Sequence, residues 1–455
     1  MYNIISDKYI HDLLQESTHI SNGEIEAILD KAANFKGLTS QEVAALLTLS
    51  HKPYVDRIFY IAEQIKKHIY GDRIVLFAPL YVSDYCVNHC NYCSFKSNGA
   101  KQRRKLTQDE IRAEVVALER MGHKRLAIEA GEDPDNCPLD YILECIDTIY
   151  NMKFENGEIR RINVNIASLD IEGYMRLKSA QIGTYILFQE TYHHHTYTKF
   201  HLKGPKKDYK FHIEAFDRAM EAGIDDVGGG VLFGLYNYKY EVLALMLHNN
   251  HLEKQFGVGF HTISVPRICD TGARNVYPYA VSDQDFLKLV AILRMAMPFT
   301  GLIISTRESP EMRLQLAKIG ISQMSAGSAA AVGGYSGIAN NPQFILSDHR
   351  EASDVFYWLM EEGMLPSFCT ACYRQGRSGS RFMELAKNGE IGNICLPNGL
   401  LTLKEYALDY GDNRFKTLAD TIINEKLANI ENENTRGLIK SKLAYIANGK
   451  RDLFI

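Results

Sequence analysis

What the chain lacks narrows its class. Nowhere in its 455 residues is there a run of about 18 consecutive apolar side chains, so no transmembrane helix is expected. Neither sign of charge dominates: 51 Lys and Arg against 55 Asp and Glu leave a formal net charge of -4. That balance supplies no basic field for nucleic acid or an anionic membrane surface, and neither partner is expected. The mixed, polar opening segment has neither the basic head nor the apolar stretch of a signal peptide, which points to a cytoplasmic protein. Low-complexity segments are absent, and recurring motifs have unequal spacing, which argues against a solenoid.

What is present begins with a helical segment over 1–70. Ser21 and Glu24 have the spacing of a capping box, and Ser40 is expected to cap the next helix. Eight β-rich runs follow: 74–82, 125–129, 162–167, 184–189, 227–233, 261–265, 302–305 and 322–325. Several are nearly continuous apolar runs, as in parallel strands buried on both faces. Helices fall between them, one opened by Thr107 and Glu110, one by Ser309 and Pro310, and one over 209–222. Eight β-then-α units predict an α/β fold, a (β/α)8 barrel over 71–345, with a doubly wound open sheet as the alternative. Strands are expected to stop near 345, leaving a helical C-terminal extension over 346–455.

Six of the nine cysteines lie in two groups, and Cys137, Cys145 and Cys269 read as small buried apolar residues. Cys86, Cys90 and Cys93, spaced C-x3-C-x2-C directly after the first strand, can hold three irons of a [4Fe–4S] cubane. The fourth iron is then free to chelate a substrate's amino and carboxylate groups. A zinc site completed by His89 is the alternative. Cys369 and Cys372 are followed by Cys395 after 22 intervening residues, again three thiols. A second Fe–S cluster or a zinc with one distant His fits that set. The run His193-His194-His195 reads as an exposed loop, because adjacent residues rarely converge on one ion.

The first triad, with Tyr92 before its last cysteine, resembles the radical S-adenosylmethionine superfamily. The resemblance implies a radical SAM barrel in which Ala130, Gly131 and Glu132 occupy the place of the Gly-Gly-Glu element that meets the adenosylmethionine amine. Asn165, Ser168, Gln189 and Glu190, after strands three and four, are then candidates for ribose and amine contacts. Cys-Thr-Ala-Cys-Tyr-Arg (369–374), the gap to Cys395 and Leu-Leu-Thr-Leu-Lys-Glu-Tyr (400–406) narrow the likeness. With 188–193, 220–228 and 261–267, they resemble the tyrosine-cleaving maturases of [FeFe]-hydrogenase over roughly residues 70 to 410, while the Ser-Thr-Arg-Glu at 305–308 is shared with the related thiamine-pathway tyrosine lyase. That family implies two iron–sulfur clusters, a [4Fe–4S] on the first triad and a [4Fe–4S] or [5Fe–4S] type on the second.

Its chemistry cleaves L-tyrosine to p-cresol and dehydroglycine, then makes carbon monoxide and cyanide. These leave with a labile iron and cysteine for hydrogenase active-site assembly. The resemblance further implies His261 as a ligand of the labile iron, Gln189 and Glu190 at the reacting centre, and an anaerobic working environment. Reduced ferredoxin or flavodoxin would be the electron donor, and other maturation proteins the partners. Independently, a free amino-acid carboxylate wants a guanidinium, and Arg307 stands just beyond the seventh strand at the catalytic face of a barrel. Two departures, Ala329-Ala330-Ala331-Val332 after Ser328 and Ile268-Cys269, are those expected of a divergent member. The competing readings are a lyase that stops at dehydroglycine, as in thiamine thiazole synthesis, and a non-catalytic Fe–S carrier.

Overall fold

The computed structural model describes residues 4–98, 102–268, 277–337 and 342–455. Eight strands alternate with helices: β1 (Arg73–Ser83), β2 (Arg125–Ala130), β3 (Arg161–Asn165), β4 (Tyr185–Glu190), β5 (Val227–Val231), β6 (Thr262–Ser264), β7 (Gly301–Ile304) and β8 (Gln323–Ser325). All neighbours pair in parallel, and β1 joins both β8 and β2, so the sheet closes on itself. That closure excludes the open doubly wound sheet. Because every strand runs the same way, one rim collects the strand ends and the following loops, and the other collects the strand starts.

A ninth strand, β9 (Leu365–Ser367), corrects the expectation that strands stop near 345. It pairs with the first three residues of β1 at the strand-start rim. Three residues with a central proline give no apolar run to read, and proline suits such an outer strand. Four helices, the first Asp7–Glu16 and the last Lys52–Tyr70, precede the barrel, and helices dominate the chain beyond β9. One apolar core runs from Ile10 through the barrel to Ile446, so both flanking segments pack on the barrel. Among the described residues no helix is long and apolar enough to cross a membrane.

The caps show how local sequence sets these elements. Ser21 with Glu24 and Thr107 with Glu110 form complete capping boxes, and Ser309 caps a helix that begins with Pro310. Ser40 does not cap its helix. Thr39 does, in a box with Glu42, because only the residue three before the glutamate can exchange both hydrogen bonds. The helix expected over 209–222 is broken at Glu214 into Tyr209–Ile213 and Ala215–Glu221. The histidine run opens the helix His194–Phe200 rather than a loop, and His193 stacks on Tyr236 with ring centroids 3.8 Å apart. Cys137 and Cys145 are buried, and Cys269 lies outside the described residues.

Candidate functional site at two ends of one barrel

The loop after β1 carries Cys86, Cys90 and Cys93 and is tied down on every side. Val87 N donates to Glu132 O at 2.8 Å, His89 N to Lys203 O at 2.9 Å and Asn91 N to Phe200 O at 3.0 Å. Asp84 accepts from Arg104 N at 2.6 Å, and the Arg103 guanidinium donates to the Asp84 carbonyl at 2.7 Å. Gly131 is dictated by this packing: a Cβ there would stand 2.3 Å from the Tyr85 carbonyl oxygen. The first alanine of the 130–132 element ends β2 and is tolerated there.

All three thiols line a cavity of about 260 Å³ at the strand-end rim. Tyr92, Ala130, Gly131, Glu132, Asn165, Ser168, Glu190 and Arg307 line it too. Gln189 is not part of that lining; its amide donates to the Thr191 carbonyl at 3.5 Å. Glu190 sits at φ 67°, a strained conformation that turns its carboxylate to the Lys206 ammonium at 2.8 Å. Burial pulls Lys206 toward the neutral form, but Glu190 and the cysteine sulfurs outweigh it and hold its pKa above the ordinary value. Tyr92 donates to His201 Nε2 at 2.7 Å, while His201 Nδ1 donates to the Tyr197 carbonyl at 2.8 Å. Burial lowers His201 to about 3 and keeps it neutral, which fixes that tautomer.

Sequence patterns did not mark several lining groups. Asn88 bonds the Glu132 carboxyl, whose pKa burial raises, and accepts from Lys206 N at 3.0 Å. Glu129 accepts from Asn165 Nδ2 at 2.6 Å, and burial pushes its carboxyl up to about 8. Gln343 and Phe344 close another wall, with the Arg307 guanidinium 4.2 Å over the Phe344 ring. Burial lowers the Arg307 pKa from its ordinary value. Ala330, from the divergent alanine run, lines the same cavity, and Tyr335 pins that run by accepting from Ala329 N at 3.1 Å.

The second triad lies at the strand-start rim. β9 delivers the chain to Cys369 and Cys372, and the helix Ile391–Asp409 contributes Cys395. His261, just before β6, has Nε2 3.4 Å from the Tyr373 hydroxyl and Nδ1 3.6 Å from Asp226. Burial keeps its imidazole neutral, and Nδ1 is buried with no hydrogen-bond partner. Arginines surround the sulfurs: Arg125 donates to the Cys369 carbonyl at 3.0 Å, and Arg161 stacks 3.5 Å over the Tyr373 ring. Arg73 is buried beside all three thiols, whose charge overcomes burial and raises its pKa. Cys372 and Cys395 are close enough to share a proton. That hydrogen bond favours one thiolate in the pair, and Arg73 and Arg377 stabilise the negative charge against the effect of burial.

A closed parallel barrel with C-x3-C-x2-C after its first strand defines a radical S-adenosylmethionine enzyme, and the Radical SAM superfamily model matches residues 80–247. The Biotin and Thiamin Synthesis associated domain matches 264–365. A crystal structure of HydG, a maturase of the [FeFe]-hydrogenase, superposes with TM-score 0.97 at 52% identity, covering 100% of both chains. HydG from Carboxydothermus hydrogenoformans superposes with TM-score 0.81 at 37% identity, over 96% of this chain and 100% of that one. The 2-iminoacetate synthase of Salmonella typhimurium is 30% identical over 352 residues, 76% of this chain and 90% of the relative. The chain belongs to the HydG family of hydrogenase maturases.

Membership of the superfamily brings a [4Fe–4S] cluster and S-adenosylmethionine, and the residues at the strand-end rim fit both. Three sulfurs face one cavity, Phe95 N donates to Cys93 Sγ at 3.4 Å, and Gly131 leaves the cavity clear beside them. Among the described residues no three His, Cys, Asp or Glu side chains converge on one point, as a zinc ion requires. A cubane instead takes one thiolate at each of three corners.

Proposed function

We propose that this protein is a radical tyrosine lyase. It splits L-tyrosine to p-cresol and dehydroglycine, then converts dehydroglycine to carbon monoxide and cyanide carried off with iron and cysteine for [FeFe]-hydrogenase assembly. The observation that carries this reading is the pair of three-cysteine groups at opposite ends of one barrel, the second with His261 beside it. A lyase that stopped at dehydroglycine has no use for the second group.

When bound, the cluster of the first triad and adenosylmethionine supply one-electron cleavage and a hydrogen-abstracting radical. Cys86, Cys90 and Cys93 would hold that cluster, and Glu132, Asn165 and Ser168 the adenosylmethionine. Arg307 would bind the tyrosine carboxylate, its guanidinium steadied by Phe344. Glu190, fixed by Lys206, would order the amino end. Such chemistry needs water kept away from the reactive species. Cys369, Cys372 and Cys395 would hold the second cluster, and the Nδ1 of His261, buried without a hydrogen bond 3.6 Å from Asp226, supports its reading as the labile iron's ligand. The surrounding arginines balance anionic sulfur, since the Nε atoms of Arg73, Arg125, Arg161 and Arg377 are buried without partners. Ferredoxin or flavodoxin would donate the electron, and other maturation proteins would receive the product.

Anaerobic turnover with tyrosine, assaying p-cresol, cyanide and carbon monoxide together, tests the reading. All three are expected, and Cys90→Ala should abolish all three with 5′-deoxyadenosine. Product formation by that variant overturns the assignment. A carrier without catalysis would give no 5′-deoxyadenosine in the parent.

A further inference from the structure

The segment that covers the first cysteine loop is rich in lysine. Within 199–207 the chain places Lys199, Lys203, Lys206 and Lys207 with no carboxylate among them; Asp208 follows. Lys206 turns inward to Glu190, while Lys199, Lys203 and Lys207 are exposed. Leu202 stands among them with 48% of its surface exposed. This segment is the outer lining of the cysteine loop. Leu202 N donates to His89 O at 2.9 Å, His89 N to Lys203 O at 2.9 Å, and Cys90 pairs with His201 in a β-bridge.

On the neighbouring side, Ser97 N donates to Asn88 O at 2.7 Å, which brings up a second basic stretch with Lys96, Arg103, Arg104 and exposed Lys105. Arg104 is engaged with Glu110 and Arg103 with backbone carbonyls. A chain of net charge -4 thus places lysines on the segments hydrogen-bonded to the first cysteine loop. A basic rim around one apolar side chain steers and seats an acidic partner.

We infer that Lys199, Leu202, Lys203 and Lys207 form the docking surface for a small acidic electron-carrier protein, which delivers one electron across the cysteine loop and is itself oxidised by one electron. The inference rests on the proposed function only in reading the first triad as a redox site. Charge complementarity selects the occupant: the same lysines repel a basic partner, and one exposed leucine is too little apolar surface for a stable second copy of this chain.

The test uses a purified acidic ferredoxin, with flavodoxin as a second carrier. Calorimetric titration into the protein as purified should show binding that weakens with added salt. Lys199→Glu/Lys203→Glu/Lys207→Glu should weaken it about 10-fold or more and flatten the salt dependence, and Leu202→Asp should weaken it with the salt dependence retained. Driven by dithionite, both variants should make 5′-deoxyadenosine at the parent rate, which also shows that they fold. Ferredoxin affinity and salt dependence unchanged in the triple variant would overturn the inference. Parent and variants all inactive with dithionite would instead strike at the proposed function and leave the binding result to judge the docking surface.

Discussion

The two ends of the barrel hold the same number of thiols, buried at both, with different cations beside them. At the strand-end rim burial dominates, Cys90 is pushed up to about 12, and Lys206 is the cation that lowers it. At the strand-start rim burial raises Cys369 as well, but the sulfurs lie among Arg73, Arg125, Arg161 and Arg377, and Arg73 and Arg125 pull that thiol back down. The first end opens a cavity lined by groups suited to an amino acid and a nucleoside. The second is packed between the barrel and the helices beyond β9, where Cys369 and Cys395 are buried. On the proposed function, one end admits and cleaves organic molecules, and the other keeps anionic sulfur and iron chemistry away from water.

The largest expected effect separates the ends outright. Replacing Cys369 and Cys372 together by alanine should abolish carbon monoxide while p-cresol continues, because tyrosine cleavage uses only the strand-end groups. Gas capture by haemoglobin and chromatography of p-cresol on the same sample measure both. Carbon monoxide at the parent rate from this variant would make the second triad structural and collapse the comparison.

A graded effect sharpens it. His261→Ala should lower carbon monoxide about 10–100-fold, the usual cost of losing one partner at a metal site, and leave p-cresol alone. Arg307→Ala should lower both products in step, through a raised KM for tyrosine. If His261→Ala depressed p-cresol equally, the imidazole would be acting on the barrel's packing rather than on a separate site.

How much of this was legible follows from where each signal lies. Several of the barrel strands could be read because strands buried on both faces leave nearly continuous apolar runs such as 74–82, and the rest followed from the helices between them. β9 could not, since Leu365-Pro366-Ser367 has neither length nor period, and the break at Glu214 has no proline or glycine to mark it. The cysteines were legible because each triad has a close pair or group along the chain. Lys206 and Gln343 were not, because polar residues from distant loops meet only after the barrel closes, and Asn88 and Glu129 stand beside motif residues with no pattern of their own. The arginine surround had a signal that went unread: Arg73, Arg125 and Arg161 are the first residues of β1, β2 and β3, so a parallel barrel must gather them at one rim.

The smallest expected effect concerns Glu129, at the end where burial rules. Its surface faces the cavity, and its pKa rises from the ordinary 4.5 to about 8, with burial as the cause and Asn165 opposing it. Below about pH 4.5 folded and unfolded chains both hold the proton, so burial costs nothing through this group. Between about 4.5 and 8 the unfolded chain has released it and the folded chain has not, so stability falls as pH rises. Glu129→Gln keeps an acceptor for Asn165 and removes the ionisation. Its melting temperature should therefore gain on the parent steadily from pH 5 to pH 8, by on the order of 1–2 °C per kcal/mol in a chain of this length. The difference between the two proteins cancels the pH dependence of other buried acids, such as Glu241, which is also raised to about 8. A melting difference flat across that range would show that cavity water solvates Glu129 as freely as bulk solvent, and the strand-end rim would lose the low-polarity setting that distinguishes it from the arginine-rich end.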